Sequence, residues 1–387
     1  MTPAAAEPAS RRAEIPRRIV LATHYYATGP ALDLEVYLQP VTDDLLFIGH
    51  PLFARGGPSY VRRYEAGRLT QTLEKPPRAG RFVADLWRTL RWVDGRWDLF
   101  IAGDPLLAIA GLWLRRRRRV RRLVLYSIDY SPRRFSNPVL NRVYHRIDRL
   151  AAQHADVVWN VSAAIGAARR ARDGRAAAAP QVVVPLGTYF DRIPRSSSAP
   201  SVPRLAFLGH LLEKQGLQLV IEALPSIRRR LPAVTLLVLG DGPYRGALER
   251  QSANLGVAKA VEFAGFIDDH REVERRLAGC TLGLAPYVPD PDSFSRFADP
   301  GKIKTYLACG LPVILTDVPP IALLVEERGA GRIVPYEPAA LAETIIDYLS
   351  DPQRLERARA AAMELGAEYA WDRVFGAAFL SSAPYLR

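Results

Sequence analysis

The stretch Leu205-Ala-Phe-Leu-Gly209-His-Leu-Leu-Glu-Lys214-Gln-Gly216 carries the pattern on which this chain is built. A short apolar run ends at a glycine, a polar loop follows, and an amphipathic helix is predicted from Leu217. Apolar runs of this length are typical of strands buried on both faces of a parallel sheet. The glycine turn frees backbone N–H groups where the helix dipole favours an anion. The stretch therefore predicts a strand–loop–helix unit of a parallel α/β sheet.

The same alternation of short apolar runs and helical stretches continues in both halves of the 387-residue chain. The predicted strands are Arg18–Thr23, Leu45–Gly49, Leu99–Ala102, Leu123–Ser127, Val157–Val161, Val182–Val184, Leu205–Gly209, Val234–Gly240, Val261–Ala264, Leu282–Ala285, Val313–Thr316 and Arg332–Val334. A Ser/Pro-rich stretch at 195–203 has the composition of a linker. We therefore predict an α/β protein with two Rossmann-like, doubly wound domains facing across a cleft.

The predicted N-terminal domain covers residues 1–195, and the predicted C-terminal domain covers residues 202–368. The last segment, 369–387, contains several aromatic residues and is expected to pack back on the first domain as a helix. With 49% hydrophobic and 24% charged residues, the composition is globular and excludes wholesale disorder. The two cysteines, Cys280 and Cys309, are too few for a disulfide framework or a cysteine-based metal site. We expect no metal.

The formal net charge of +13 belongs to the first half of the chain. Residues 1–200 hold 32 Lys+Arg against 17 Asp+Glu, whereas residues 201–387 hold 21 against 23. The densest cationic segment is 115–122, directly after an apolar stretch. Such a segment fits an anionic membrane surface, an anionic acceptor or a solvated helix end. Nucleic acid is not expected, because no stacking motif or recognition helix accompanies the charge.

The N-terminus carries no pattern of a secretory signal, since Met1–Arg12 has no apolar core. The longest apolar run, Pro105–Leu114, is about half the length of a membrane-spanning helix. We therefore expect a cytoplasmic protein, with peripheral contact at the inner face of the cell membrane as an open alternative.

Several glycines follow predicted strands in the second half and predict loops that line a binding site. Gly209 precedes Lys214, whose charge would complement an anion at the following helix, although an ordinary loop explains the pattern as well. Gly240 and Gly242 flank an aspartate and are interpreted mainly as turn residues. Phe266 and Ile267 follow a third strand and could hold a planar base, although a simple loop explains the segment as well.

The richest stretch is Asp299-Pro-Gly-Lys302-Ile-Lys-Thr305-Tyr-Leu-Ala-Cys309-Gly-Leu-Pro-Val-Ile314. Pro300 and Gly301 open a predicted helix that closes at Gly310, and a buried strand follows. A helix N-terminus with Lys302 combines free amides, the helix dipole and an ammonium group, which suits a diphosphate. Cys309 is expected in the core and not as a nucleophile.

Taken together and in this order, these motifs resemble the donor-binding half of retaining nucleotide-sugar glycosyltransferases of the GT-B fold, in particular the large glycosyltransferase family four, also called group 1. The resemblance covers about residues 202–350. It implies that the C-terminal domain holds a nucleotide-diphosphate sugar, that the N-terminal domain binds the acceptor, and that transfer occurs in the cleft.

Two departures from the family pattern concern the donor site. The family commonly has an arginine after the first glycine and a lysine before the second, where this chain has His210 and Gln215. Lys214 lies one position before Gln215, where the family has its lysine. The family's paired glutamates align with Phe297 and Thr305, so that Thr305 stands where the ribose is normally held. Family members with an Asn/Asp-Pro-x-Lys segment, similar to Asp299-Pro-Gly-Lys302, also lack the first glutamate.

In the first half, the resemblance assigns site roles to residues that follow predicted strands. Gly29 matches the glycine of a loop near the donor phosphate and the acceptor. Asp129 follows a strand whose end in the family carries a polar residue reaching the sugar or the acceptor, although it could equally cap a turn. His24 is the alternative for that polar role.

The function implied is sugar transfer from a nucleotide-diphosphate donor, a UDP-sugar before others, to a glycan, lipid-linked or small-molecule acceptor. Lys214 and Lys302 would stabilise the leaving diphosphate, so neither a metal nor a further cofactor is expected. The resemblance implies retention of configuration. Two alternatives remain: an inverting GT-B enzyme, glucuronosyltransferase-like, with Asp129 as general base, and a nucleotide-sugar-binding protein with weak catalysis.

Overall fold

The structure of the protein is a computed structural model. It describes residues 14–25, 29–52, 57–76, 81–128, 130–131, 133–174, 179–195, 200, 202–290 and 296–387. The chain divides into two compact units, which we call unit 1 and unit 2. Unit 1 comprises Met1–Pro185 and Trp371–Arg387, and unit 2 comprises Leu186–Ala370. The units therefore meet in the sequence after Pro185, before the Ser/Pro-rich stretch that the sequence marks as a linker.

Unit 1 contains an eight-stranded sheet in the order β4-β3-β2-β1-β5-β6-β7-β8. Its strands are β1 (Arg18–Tyr25), β2 (Asp44–Pro51), β3 (Ser59–Glu65), β4 (Arg68–Lys75), β5 (Trp97–Ala102), β6 (Val120–Ser127), β7 (Val157–Asn160) and β8 (Gln181–Val183). The six strands other than β3 and β4 are parallel, and they include the six strands predicted in the first half.

The hairpin of β3 and β4 is a feature that the predicted strands omit. β3 pairs antiparallel with β2 and with β4, at the edge of the sheet. Every residue of β4 is exposed, and two arginines interrupt β3, so neither strand has the continuous apolar run of its parallel neighbours. The turn between them places Ala66 and Gly67 at positive φ, 48° and 78°, as a tight hairpin requires.

Helices cover both faces of the sheet of unit 1. They are α1 (Pro30–Leu38), α2 (Arg81–Trp92), α3 (Pro105–Arg116), α4 (Pro138–His154), α5 (Ala163–Asp173) and α13 (Trp371–Leu386). Side chains of α3 and α4 share one apolar core with Val158, and part of α2 packs against it. On the opposite face, Trp159 donates a hydrogen bond from Nε1 to Ser382 Oγ of α13, at 2.8 Å.

Unit 2 contains a six-stranded sheet, parallel throughout, in the order β11-β10-β9-β12-β13-β14. Its strands are β9 (Arg204–Leu208), β10 (Thr235–Leu239), β11 (Val261–Gly265), β12 (Leu282–Ala285), β13 (Val313–Leu315) and β14 (Gly331–Ile333). Each lies within about one residue of a predicted strand. Continuous apolar runs produce these strands because both faces are buried under helices.

Two apolar cores, one on each face, hold the sheet of unit 2. The helices are α6 (Leu217–Arg230), α7 (Arg245–Asn254), α8 (His270–Ala278), α9 (Gly301–Ala308), α10 (Ala322–Glu327), α11 (Pro338–Ser350) and α12 (Pro352–Glu368). Both units are therefore doubly wound α/β structures, which confirms the predicted fold class. Within the described ranges, no helix combines the length and the apolar character needed to cross a membrane.

Candidate functional site

Three glycines bring the loops after β9 and β10 into direct backbone contact. Gly209 has φ 137° and Gly240 has φ 138°, in the region that favours glycine. A Cβ atom on Gly240 would lie 2.0 Å from the carbonyl oxygen of Gly209, and one on Gly242 would lie 2.5 Å from that of Leu211. The glycines predicted as turn residues thus allow two loops to pack at the carboxyl ends of adjacent strands.

Lys302 lies against the first of these loops. Its Nζ donates a hydrogen bond to Gln215 Oε1 at 2.7 Å and lies 4.5 and 4.4 Å from the ring centroids of Phe207 and Tyr287. A Cβ atom on Gly209 would be 3.7 Å from this Nζ. Burial lowers the pKa of Lys302 to about 7, because removal from water disfavours the charged amine. The sequence-predicted Gly209 and Lys302 therefore lie together.

The loop after β9 also carries His210 and Lys214. Lys214 and His210 are exposed, and it is Gln215 that contacts Lys302. The backbone carbonyl of Lys214 accepts a hydrogen bond from the N–H of Val288 at 3.2 Å. Lys214 thus contributes through its backbone to the fold of the loop, and a role for its ammonium stays a prediction.

The first turn of α9 presents backbone amides next to Lys302. Pro300 is the N-cap and offers no side-chain hydrogen bond to the helix. Gly301 begins the helix, and the Thr305 hydroxyl donates to the Gly301 carbonyl at 3.1 Å. The free N–H groups of a first turn attract anions, and Lys302 belongs to the first turn of α9. Thr305 lies one turn into that helix.

A buried ion pair between Asp299 and Lys304 lies at the start of α9. The Asp299 carboxylate accepts hydrogen bonds from the fully buried ammonium of Lys304 and from the N–H of Leu186, the latter at 2.5 Å. Burial lowers the pKa of Lys304. The sequence motif contains Asp299 and Lys304, but it does not show that Lys304 pairs with Asp299. Nor does it distinguish the role of Lys304 from that of Lys302.

Tyr306 ties α9 to the strand that carries Gly209. Its hydroxyl accepts a hydrogen bond from the N–H of Leu208 at 2.6 Å and donates to the carbonyl of Leu284 at 3.2 Å. A Cβ atom on Gly283 would lie 2.5 Å from the ring, so a side chain at that position would collide with Tyr306. Sequence reasoning did not assign a role to Tyr306, whose partners are backbone atoms of remote strands.

Phe266 and Ile267 follow the third glycine loop. Gly265 has φ 76°, and its carbonyl accepts a hydrogen bond from the N–H of Gly240 at 2.8 Å. This bond joins the loop after β11 to the loops of Gly209 and Gly240. Phe266 is 69% exposed, whereas Ile267 packs partly against the core. An exposed aromatic ring thus lies next in the chain to the glycine loop that the Gly240 hydrogen bond holds.

In unit 1, His24 lies between two carboxylates at the end of β1. Its Nδ1 is 2.8 Å from Asp104 Oδ2, and its Nε2 is 3.7 Å from Asp85 Oδ2. Burial alone would lower the pKa of His24, but Asp104 and Asp85 outweigh burial and raise it to about 9. His24 is therefore an imidazolium at neutral pH, which suits charge balance and not proton abstraction.

His50 extends this network from the neighbouring strand. Its Nε2 is 2.9 Å from Thr89 Oγ1, and that hydroxyl donates to the carbonyl of Asp85 at 2.9 Å. The Nδ1 atom of His50 lies 3.4 Å from Asp85 Oδ1, so the carboxylate of Asp85 lies close to both histidines. Burial lowers the pKa of His50. His50 lies more than thirty positions from Thr89 and Asp85 in the sequence, so no local motif predicts these contacts.

The remaining predicted residues have simpler surroundings. Gly29 precedes α1 with extended backbone, and its carbonyl accepts hydrogen bonds from the N–H groups of Leu32 and Asp33. Asp129 lies outside the described residues. Cys309 is buried in the core of unit 2, as predicted. Of the residues that the structure describes, no group of three or more His, Cys, Asp or Glu could hold a metal ion.

Two family models match the chain, one on each half. Residues 3–187 match the glycosyl transferase 4-like domain, and residues 202–351 match the model of glycosyl transferases group 1. Together these two segments span most of the chain.

Curated relatives match part of the chain. A glycogen synthase of Mycobacterium tuberculosis is 28% identical over 48% of this chain and 42% of its own length. A GDP-mannose-dependent alpha-(1-6)-phosphatidylinositol monomannoside mannosyltransferase of Mycolicibacterium smegmatis is 30% identical over 44% of each chain. The matched part thus spans less than half the length of these relatives.

Solved structures share the fold over nearly the whole chain. Sucrose-phosphate synthase of Thermosynechococcus elongatus has a TM-score of 0.66 at 17% identity, with 94% of this chain and 99% of that chain covered. HepE of Anabaena, solved with UDP, has a TM-score of 0.67 at 19% identity, with 94% and 100% covered. The strand order, the glycine loops and the matches to both family models lead to one conclusion: this chain belongs to the group 1 glycosyltransferases, with their two Rossmann-like α/β domains.

Proposed function

We propose that the protein transfers a sugar from a nucleotide-diphosphate donor bound by unit 2. The observation that carries this proposal is the position of Lys302, whose amine joins the first turn of α9 to the Gly209 loop. Family membership supports the same reaction class. No described carboxylate forms an ion pair with Lys302, so its charge is available to a ligand.

A diphosphate fits this site because of its charge. Burial costs the Lys302 ammonium its hydration, and a phosphate oxygen would replace that hydration with a charge-assisted hydrogen bond. Gln215, which accepts from Lys302 in this structure, has an amide that can also donate to phosphate. The amides of Gly301 and Lys302 add the dipole of α9.

The same groups would promote bond cleavage. As the glycosidic bond to the donor breaks, negative charge accumulates on the leaving diphosphate. The Lys302 ammonium and the helix amides are fixed where that charge develops, so they stabilise the transition state more than the ground state. Lys214 and His210, on the same loop, are proposed to contact the outer phosphate, and Gly29 of unit 1 is proposed to approach it.

A UDP-sugar is the proposed donor. HepE binds UDP, which supports a uridine nucleotide, whereas the relative from Mycolicibacterium smegmatis depends on GDP-mannose. Phe266 and Ile267, with the backbone of Gly265 and Gly240, are proposed to hold the base, and Thr305 the ribose. GDP-sugars are the second candidate.

Retention of configuration is the proposed stereochemistry. An inverting enzyme requires a general base, and His24 is charged at neutral pH by its two carboxylate neighbours. This argues against His24 as that base and for a charge-balancing role. Asp129 remains the candidate of the inverting alternative, and the anomeric configuration of the product separates the two.

The proposed acceptor is a glycan or a lipid-linked glycan bound by unit 1, with a small molecule as the alternative. The excess of arginine in the first half supports an anionic or membrane-borne acceptor, and we propose peripheral contact of unit 1 with an anionic membrane. The third possibility is a nucleotide-sugar-binding protein with weak catalysis, which the absence of the family's glutamate at Thr305 supports.

Release of nucleoside diphosphate from a panel of activated sugars tests the proposed function. UDP-sugars and GDP-sugars are incubated with the protein and a total lipid extract as acceptor, and wild type is compared with Lys302→Met. We expect release with one donor class and a loss of roughly 100-fold in Lys302→Met, comparable to removal of one transition-state donor. Donor binding without release by either protein would favour the weak-catalysis alternative.

A further inference from the structure

The outer side of one helix layer in unit 1 exposes apolar side chains. α2, α3 and α4 cover the same face of the sheet, so the residues that they turn away from the sheet share one side. Trp87 of α2 is 55% exposed, Trp113 of α3 is 41% exposed and Val143 of α4 is 48% exposed. Further exposed apolar residues of the layer are Val83, Val139, Leu140 and Leu150. We call this set the helix-layer surface.

The helix-layer surface carries charge of one sign. The two carboxylates of α2 and α4, Asp85 and Asp148, are buried, and α3 has none. Exposed arginines stand among the apolar residues: they are Arg91, Arg116, Arg117, Arg142 and Arg146. Two of them lie over the exposed tryptophans, with Arg91 5.3 Å from the ring centroid of Trp87 and Arg117 4.7 Å from that of Trp113.

Two cavities adjoin the C-terminal end of α3. One has a volume of about 510 Å³ and is lined by five arginines, one carboxylate and two apolar residues: Arg18, Arg96, Arg115, Arg118, Arg121, Asp98, Trp97 and Val120. The second, of about 450 Å³, is lined by Ile109, Leu112, Trp113 and Arg115, with Arg116 and His154. Since both include Arg115, an arginine-rich cavity adjoins a partly apolar one. That combination suits an amphiphile with an acidic headgroup.

We propose that the helix-layer surface docks on an anionic lipid bilayer. Tryptophan and arginine side by side are suited to the interface of a bilayer, where the ring is partly buried and the guanidinium meets phosphate. Exposed cations near an anionic leaflet and apolar side chains at the headgroup boundary contribute together to binding. This inference rests on the proposed function and deepens it, because it states how unit 1 would reach a membrane-borne acceptor.

Vesicle sedimentation of the full chain tests the docking. The protein is mixed with phosphatidylcholine vesicles that contain or lack phosphatidylglycerol, over a series of salt concentrations. We expect binding only with phosphatidylglycerol, weakening as salt screens the charges. Equal partitioning to both vesicle types would overturn the proposal. So would absence of vesicle binding together with salt-sensitive binding to duplex DNA, which would assign the surface to nucleic acid.

Two sets of variants locate the contact. Arg142→Gln with Arg146→Gln should reduce the partition coefficient roughly fivefold for each cation removed. The double variant Trp87→Phe/Trp113→Phe should keep binding but lose quenching of tryptophan fluorescence by brominated phosphatidylcholine in the anionic vesicles. Arg229→Gln and Leu323→Ser in unit 2, both exposed positions, serve as matched controls.

The outcomes separate this inference from the proposed function. The thermal shift caused by UDP or GDP reports the donor site and should be the same in the helix-layer variants as in wild type. Loss of vesicle binding with an intact nucleotide shift supports docking through this surface. Vesicle binding that the Arg142→Gln/Arg146→Gln variant leaves unchanged, or that the unit 2 controls reduce equally, would overturn it while leaving the donor site as proposed.

Discussion

The amine of Lys302 is the residue-scale centre of the proposed donor site, and its protonation should be linked to nucleotide binding. Burial holds the pKa at about 7, and a diphosphate would raise it by stabilising the charged form. At pH 7 binding should therefore take up about half a proton, and affinity should fall as the pH rises above 7. Calorimetric titration in buffers of different ionisation enthalpy measures the uptake, and an uptake of zero would contradict the role given to Lys302.

Single residues also mark where sequence patterns succeed and fail. Gly209 and Lys302 could be predicted, because a glycine at a strand end and a lysine at a helix start are local features. Gln215, which contacts Lys302, could not: the sequence draws attention to the charged Lys214 beside it, and only the loop geometry selects which side chain points inward. His24 was singled out without Asp85, its partner 61 positions away.

At the scale of elements, the loops after β9 and β10 depend on close backbone packing. Gly240→Ala would place a methyl group 2.0 Å from the Gly209 carbonyl at a φ of 138°, which alanine rarely adopts. We expect a loss of at least about 2 kcal/mol in the free energy of unfolding, together with loss of nucleotide binding. Urea denaturation measures the first, with Gly279→Ala as control, since its Cβ would meet no atom closer than 3.5 Å.

The start of α9 depends on the buried pair of Asp299 and Lys304. Asp299→Asn would leave the Lys304 ammonium buried without its carboxylate, at a cost of roughly 3–5 kcal/mol. Replacing Lys304 by methionine in the same chain removes that charge, so the double variant should regain much of the lost stability. Denaturation curves of wild type, the single variant and the double variant decide this; a double variant less stable than Asp299→Asn would contradict the argument.

The elements themselves were predictable to the extent that local patterns determine them. Parallel strands buried on both faces read as continuous apolar runs, and all twelve predicted strands are present. The hairpin of β3 and β4 was missed because edge strands can be polar: their order comes from pairing with β2 and not from their own burial.

At the scale of the whole molecule, stability should respond to the charge state of His24. Its pKa is about 9 in the folded protein and 6.5 in the unfolded chain. Because the folded pKa is the higher one, the contribution is complete below pH 6.5 and is lost as the pH rises through 9. It amounts to roughly 3 kcal/mol. The stability difference between wild type and His24→Gln, measured by urea denaturation, should therefore shrink from pH 6.5 to pH 9.5; a constant difference would contradict the charged state of His24.

The two-domain architecture can be predicted from the sequence because the same physical pattern occurs in both halves of the chain. Each α/β half buries its own apolar core, so alternation of strands and helices announces two units. The charge contrast between the halves is also visible in the sequence. Its arrangement is not: Arg115 and Arg122 are bound to Asp156, whereas other arginines stand beside exposed tryptophans of the helix-layer surface.

Binding of nucleoside diphosphates by wild type and by Lys302→Met tests the central claim most directly. We would measure UDP, GDP, dTDP and ADP by isothermal titration calorimetry at pH 7, with Lys259→Met, an exposed lysine of unit 2, as matched control. We expect one nucleotide, UDP before the others, to bind wild type and the control equally, and Lys302→Met roughly 10- to 100-fold more weakly. Equal affinity of all three proteins for that nucleotide would contradict the assignment of the diphosphate to Lys302.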